Sequence, residues 1–249
     1  DGVRFTPVAA DLPNNHARAL LEDRDGTLWN GVAGSGLVRW EGRVVDTFTT
    51  ARGLAGNDAR TIAQDADGRI WAGTENGVSI IEPGALRTLR TADGLPDNAV
   101  TSLAPARGGG VWVATQRGVC LASAATNACT AGPAPPGRAD TVLEDLDGRL
   151  WIGTPQGLHV RGAAHAACPG QCLPGAAVTA LLQTRDGDVW AGLASGAVAR
   201  LHAGGLSMFT PGDGLPAGNV VALRQDVEGS VWVGTYYGGL ARLKPKRVR

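Results

Sequence analysis

The chain has 249 residues, and its 23 Lys plus Arg balance 23 Asp plus Glu, so the formal net charge is zero. That balance leaves no electrostatic footprint for nucleic acid or an anionic membrane. No run of about 18 apolar residues occurs, which excludes a helical membrane span in this chain. No signal-peptide pattern opens it, so it reads as a mature or excised segment. Glycine reaches 37 residues, well above an average share of about 7%, as a chain of many tight hairpins requires.

In chain order, Phe5-Thr6 reads as a lone strand ahead of Leu12, much as Phe48-Thr49 precedes Leu54 and Phe209-Thr210 precedes Leu215. Six repeats follow, centred on Trp29, Trp71, Trp112, Trp151, Trp190 and Trp232, with gaps of 42, 41, 39, 39 and 42 residues. Glycine stands three residues before each tryptophan, from Gly26 to Gly229, and a Leu-Pro pair or half of it lies 17 and 16 residues before. The spacing from Leu-Pro to tryptophan is constant, so length variation falls in the second half of the repeat.

The third repeat shows the plan. Val100, Ser102 and Leu103 belong to strand A, a turn runs through Gly108-Gly109-Gly110, and Val111 to Ala114 make strand B. Thr115 to Gly118 turn the chain into strand C, Val119 to Leu121, and a less regular strand D closes the unit. Four short strands at a period near forty predict a β-propeller with one blade per repeat. The six tryptophans then belong to the scaffold, each packing one blade face on the next.

The last repeat, Val220 to Leu243, supplies strands A, B and C only. The N-terminal strand is expected to complete it and remove two open sheet edges. The reading is a single all-β domain over residues 1–249, a six-bladed propeller of four-stranded blades. A part of a seven-bladed propeller is the alternative. The basic end, Lys244 to Arg249, reads as a solvated exit.

Few constellations carry chemistry. Asp23-x-Asp25-Gly26, Asp65-x-Asp67-Gly68 and Asp145-x-Asp147-Gly148 open like calcium loops. The bidentate acid such a loop needs is replaced by Gly34, Asn76 and Gln156. A turn between strands A and B, with Asp accepting backbone bonds, is the reading instead. His16, His159, His165 and His202 share no metal-ligand or catalytic spacing. No metal, cofactor or catalytic residue is therefore assigned. Four cysteines allow three pairings, of which the local ones, Cys120–Cys129 and Cys168–Cys172, suit hairpin geometry best. Local disulfides imply an oxidising compartment.

Strand alternation places the B–C and D–A loops on one face of the disc. The A–B turns repeat nearly the same Asp and Gly chemistry, whereas the B–C turns vary: Glu75-Asn76, Gln116-Arg117, Pro155-Gln156, Ala194-Ser195, Tyr236-Tyr237. Where strand A enters near the axis stand Arg18, Arg60, Thr101, Asp140, Thr179 and Val221. Guanidiniums, hydroxyls and tyrosines suit a hydroxylated or carboxylated small molecule. The expected ligand-binding set is Arg18, Arg60, Glu75, Arg117, Asp140, Tyr236 and Tyr237.

Gly94-Leu95-Pro96-Asp97-Asn98-Ala99-Val100, Gly148-Arg149-Leu150-Trp151-Ile152-Gly153-Thr154 and Gly157-Leu158 closely resemble the two-component regulator propeller repeat. The resemblance covers residues 1–243, with small departures: Ala114 replaces a Gly, Val32 and Leu193 replace Thr, and the fourth repeat lacks the Gly-Leu. It implies the sensor part of bacterial hybrid histidine kinases and diguanylate cyclases, on the periplasmic or extracellular side. There it would bind a ligand, often a carbohydrate fragment, and pass on a conformational signal. The alternatives are a protein-interaction propeller, docking a second copy or a neighbouring propeller, and an enzyme similar to streptogramin lyases, which share the fold.

Overall fold

The computed structural model describes residue 13 and residues 16–132, 137–162, 168, 170–202 and 205–244. The fold is all-β, a six-bladed β-propeller. The first blade comprises β1 (Ala17–Glu22), β2 (Leu28–Val32), β3 (Gly36–Trp40) and β4 (Val44–Phe48). The second follows with β5 (Thr61–Gln64), β6 (Ile70–Thr74), β7 (Gly77–Glu82) and β8 (Ala85–Leu89). The third holds β9 (Val100–Pro105), β10 (Val111–Thr115), β11 (Gly118–Ser123) and β12 (Ala128–Ala131). The fourth holds β13 (Thr141–Glu144), β14 (Leu150–Thr154), β15 (Gly157–Arg161) and the two-residue β16 (Gln171–Cys172). The fifth comprises β17 (Val178–Gln183), β18 (Val189–Leu193), β19 (Val198–His202) and β20 (Gly205–Phe209). The sixth has β21 (Val220–Gln225), β22 (Val231–Thr235) and β23 (Gly239–Leu243), three strands among the described residues. The expected closing strand at Phe5-Thr6 lies outside the described residues.

Packing divides the chain into two compact units: Asp1–Val113 with Leu121–Thr130, and Ala114–Cys120 with Ala131–Arg249. In the first, Trp29, Leu37 and Leu54 pack on Ile70, Ala72 and Ile81 of the second blade. In the second, Trp151 and Leu158 pack on Val189, Ala191 and Leu201, and Trp190 on Val220, Val231 and Val233. The repeat tryptophan is thus the filler between consecutive sheets. Two residues after it, a glycine lets the next strand A approach: a Cβ on Gly73 would lie 2.5 Å from Val100 Cγ1, and one on Gly192 2.4 Å from Val220 Cγ1.

The A–B turns show why the sequence repeats Asp there. Asp65 Oδ1 accepts from the N–H of Asp67 at 3.0 Å and of Arg69 at 2.9 Å, while Oδ2 accepts from Trp71 Nε1 at 2.9 Å. Gly68, at φ +87, completes the turn. Asp23, Asp145 and Asp226 hold Trp29, Trp151 and Trp232 in the same way at 2.8, 2.8 and 2.9 Å. Neighbouring turns are clasped by glutamine: Gln64 accepts from Arg24 N and donates to Gly68 O, and Gln225 does so for Arg185 N and Gly229 O. At the other end of the sheet, Thr74 Oγ1 donates to Gly77 O and accepts from Asn76 N. Thr115, Thr154 and Thr235 bond the turn glycines 118, 157 and 239 likewise.

Candidate functional site

The threonine-braced B–C turns and the entries to strand A carry the side chains of interest. In the first unit four of them converge. Arg60, just before β5, is fixed by its N–H on Gly73 O at 2.9 Å, and its Nε donates to Asp58 Oδ2 at 2.8 Å. Arg18 on β1 approaches the same carboxylate, with Nε 3.3 Å from Oδ1 in an ion pair that lacks hydrogen-bond alignment. Glu75, in the β6–β7 turn, accepts from Asp58 N at 3.0 Å. Gly56 makes room for it, since a Cβ there would lie 2.5 Å from Glu75 Oε2.

Asp58 is thus the hub, with its side chain 19% exposed against 55% for Arg18 and 37% for Arg60. The carboxylate orients both guanidiniums while leaving them wet, and forked donors of this kind pair with carboxylate or vicinal hydroxyl oxygens.

The second unit holds the others. Asp140 precedes β13 and pairs with Arg138, so the order of charges is reversed relative to Asp58 and Arg60 at the same distances from the repeat tryptophan. Arg117 sits in the β10–β11 turn with its N–H on Thr115 Oγ1 at 3.2 Å. Tyr236 and Tyr237 cap the β22–β23 turn with ring centroids 4.2 Å apart, tilted by 57°. Tyr237 is 94% exposed and adopts φ +69, a left-handed backbone that an aromatic residue rarely takes. The hydrogen bond and charge of Tyr236 push its phenol upward from the ordinary value, so it stays protonated at neutral pH. Thr179 spends its hydroxyl on Gly192 O and Val220 O.

Of the histidines, His159 on β15 is held below its usual value by burial and then by the charge of Arg161, which keeps it neutral. His202 contacts Asp188. His165 lies outside the described residues. Cys168 and Cys172 form a disulfide with Cα atoms 5.2 Å apart; Cys120 and Cys129 are also disulfide-bonded, and no cysteine is free.

Sequence reasoning named Arg18, Arg60, Glu75 and Asp140 but missed Asp58, which organises the first three, and Arg138, which pairs with Asp140. The signal was present, because both stand 13 residues before a repeat tryptophan, next but one to a residue of opposite charge.

The model of the two component regulator propeller matches residues 11–29, 53–76, 94–117 and 214–237. No curated protein matches the sequence. Among solved structures, the chain is similar to the extracellular domain assigned to hybrid two component system BT3049 from B. thetaiotaomicron. The identity is 19% and the TM-score 0.77, over 95% of this chain and 34% of that one. The extracellular domain assigned to BT4673 of the same organism gives 20% and 0.74, over 96% and 33%. A catalytically inactive virginiamycin B lyase from Staphylococcus aureus, solved with quinupristin, gives 15% and 0.74, over 96% and 86%. At these identities the likeness concerns the fold, and the chain spans about a third of the first two proteins. With the repeat kept six times and matched in four segments, the chain carries two component regulator propeller repeats.

Proposed function

We propose that this chain is the extracytoplasmic, ligand-sensing propeller of a bacterial signalling receptor and has no catalysis of its own. The observation that carries the reading is the contrast between the two ends of the blades. Four of the six A–B turns repeat one hydrogen-bonded design, whereas equivalent positions at the other end hold Asp58 with Arg60 in one blade and Arg138 with Asp140 in another. A repeated scaffold that varies only its loop chemistry makes an asymmetric recognition surface. The disulfides favour an oxidising compartment. The ligand class that suits these groups is an acidic or polyhydroxylated small molecule, such as a carbohydrate fragment. A thermal-shift screen of neutral and acidic oligosaccharides, followed by calorimetry on the first hit, tests this. Arg60→Ala is expected to weaken binding with circular dichroism unchanged; unaltered affinity would remove the assignment.

A second reading, a protein-interaction propeller, draws on the last blade. Leu240 is 55% exposed, although the residues at its register position, Leu37, Val78, Val119, Leu158 and Val198, are buried. Val221 and the tyrosine pair are exposed as well. Mass that rises with concentration in sedimentation favours this second reading, and turnover of a lyase substrate panel would overturn both.

A further inference from the structure

Away from that loop end, an open groove of about 1290 Å³ runs between the first and second blades on their A–B and C–D side. Its floor is apolar, including Trp29, Phe48, Ile81 and Leu86, and carboxylates outnumber guanidiniums on its walls. The next junction in the same unit shows why this one is open. There Arg87 on β8 lies across from Ile80 and faces the third blade. Its guanidinium bridges Glu82 Oε1 at 3.0 Å and Ala124 O at 2.8 Å, closing the rim. At the first junction Asp46, paired with Arg39 across β3 and β4, holds the place of Arg87. The register equivalents of the two acceptors are Glu41 and the carbonyl of Pro83, and both residues line the groove.

The first junction therefore keeps the acceptors of a guanidinium seat and puts a further carboxylate where the guanidinium would originate. Asp46 is not idle: it pairs with Arg52, which lies over the Phe48 ring at 5.1 Å. The wall thus already holds one guanidinium between an aromatic face and a carboxylate. Arg39, beside it, pairs with Glu41, as Arg69 pairs with Glu82 in the junction where Arg87 also binds. One basic neighbour does not prevent that glutamate from taking a second.

We propose that this groove binds a guanidinium-bearing ligand, seated between Glu41 and the Pro83 carbonyl over the Phe48–Leu86 floor. Charge-assisted bonds to carboxylate and carbonyl oxygens favour a planar fork over a neutral isostere, and an apolar floor with a few convergent polar groups is the usual make-up of a ligand cleft. The site is separate from the loop-end residues Arg18, Asp58 and Arg60.

Calorimetry with agmatine, the tripeptide Gly-Arg-Gly and its citrulline counterpart tests the proposal. Agmatine and Gly-Arg-Gly are expected to bind and the citrulline peptide to bind at least about tenfold more weakly. Binding of the peptide alone would show that the guanidinium arrives on a polypeptide, and equal binding of agmatine that the free group suffices. Asp46→Arg, which restores the cation in cis as in the next junction, is expected to abolish binding. Glu41→Gln removes the acceptor charge with little change of shape and is expected to weaken it several-fold. Arg60→Ala should leave it unchanged, which separates this site from the loop end. Equal affinity for the citrulline peptide, indifference to both Asp46→Arg and Glu41→Gln, or no heat at millimolar agmatine and tripeptide would overturn the proposal.

Discussion

Trp71 Nε1 donates to Asp65 Oδ2 at 2.9 Å, and both side chains are buried, at 0% and 1% exposure. The first aspartate of the A–B turn therefore has two tasks: one oxygen folds the turn and the other satisfies the indole that fills the gap between blades. Asp65→Ala would strand that buried donor together with two turn N–H groups. Leaving a buried donor unpaired costs about 1–3 kcal/mol, so a loss at or above that range is expected in urea unfolding at constant slope. A loss no greater than that of a surface alanine would mean that the bond contributes little.

The fifth blade isolates the bond. Thr184 stands where four of the turns have aspartate and the third has Ala106, its hydroxyl bonds Asp188 O at 3.2 Å, and buried Trp190 Nε1 has no hydrogen-bond partner. Thr184→Asn offers a neutral acceptor and is expected to raise stability by about 1 kcal/mol, the net worth of one such bond. Thr184→Asp should not, because buried Asp188, already committed to Arg200 and His202, would repel a second carboxylate. Equal gains from both variants would contradict that repulsion.

The period, the glycines and the Leu-Pro pairs were legible in sequence because each is tied to local backbone geometry. Gly68 needs a positive φ, and Gly73 must admit the neighbouring valine, so neither can drift. The turn role of Asp65 was equally legible, but its indole bond spans six residues and a strand boundary, and composition carries no trace of it. At the loop end, Arg60 and Asp58 are near neighbours in sequence, whereas Glu75 reaches Asp58 N only through the β5–β6 hairpin. The groove lay deepest. It depends on Asp46 replacing Arg87 in strand D, within the half of the repeat whose length varies.

Acid should destabilise the protein through Asp145. Burial alone would push the Asp145 carboxyl up, but hydrogen bonds from Trp151 and Arg149 outweigh it and hold the group below its usual 3.8. A carboxylate with a lowered folded value stabilises fully above its unfolded value, and that contribution is lost as pH falls through the folded one. Stability should therefore be insensitive to this group from neutrality to about pH 5 and decline below about pH 4. Melting curves of Asp145→Asn should start lower at pH 7 and fall less steeply between pH 4 and pH 2. Parallel curves for the two proteins would assign acid sensitivity elsewhere.

The Cys168–Cys172 bond closes a very short loop, so the chain-entropy model allots it only about 2 kcal/mol. Cys168→Ser with Cys172→Ser is expected to lower the unfolding free energy by that amount, and the denaturant midpoint with it, while keeping the far-ultraviolet spectrum. Reduction of the wild type should cost more, because it also opens the second disulfide, at Cys120 and Cys129. Equal midpoints for the reduced wild type and the double variant would leave those two cysteines without a stabilising role.

Tyr237 gives the sharpest separation of stability from recognition. It holds φ +69 at 94% exposure, while Gly34, five residues after its own repeat tryptophan as Tyr237 is, takes φ +72 in the first blade. A bulky side chain in that backbone region costs on the order of 1 kcal/mol or more, and its ring recovers little burial in return. Tyr237→Gly is therefore expected to leave the melting temperature unchanged or raise it. Tyr237→Phe, which keeps the ring and the strain, should leave it near wild type. If the tyrosine pair is a wall for the ligand, calorimetry on the screening hit should show binding lost in the glycine variant and retained in phenylalanine. A glycine variant that is more stable and binds equally well would show that the strain serves another purpose, and the stacking role would be withdrawn.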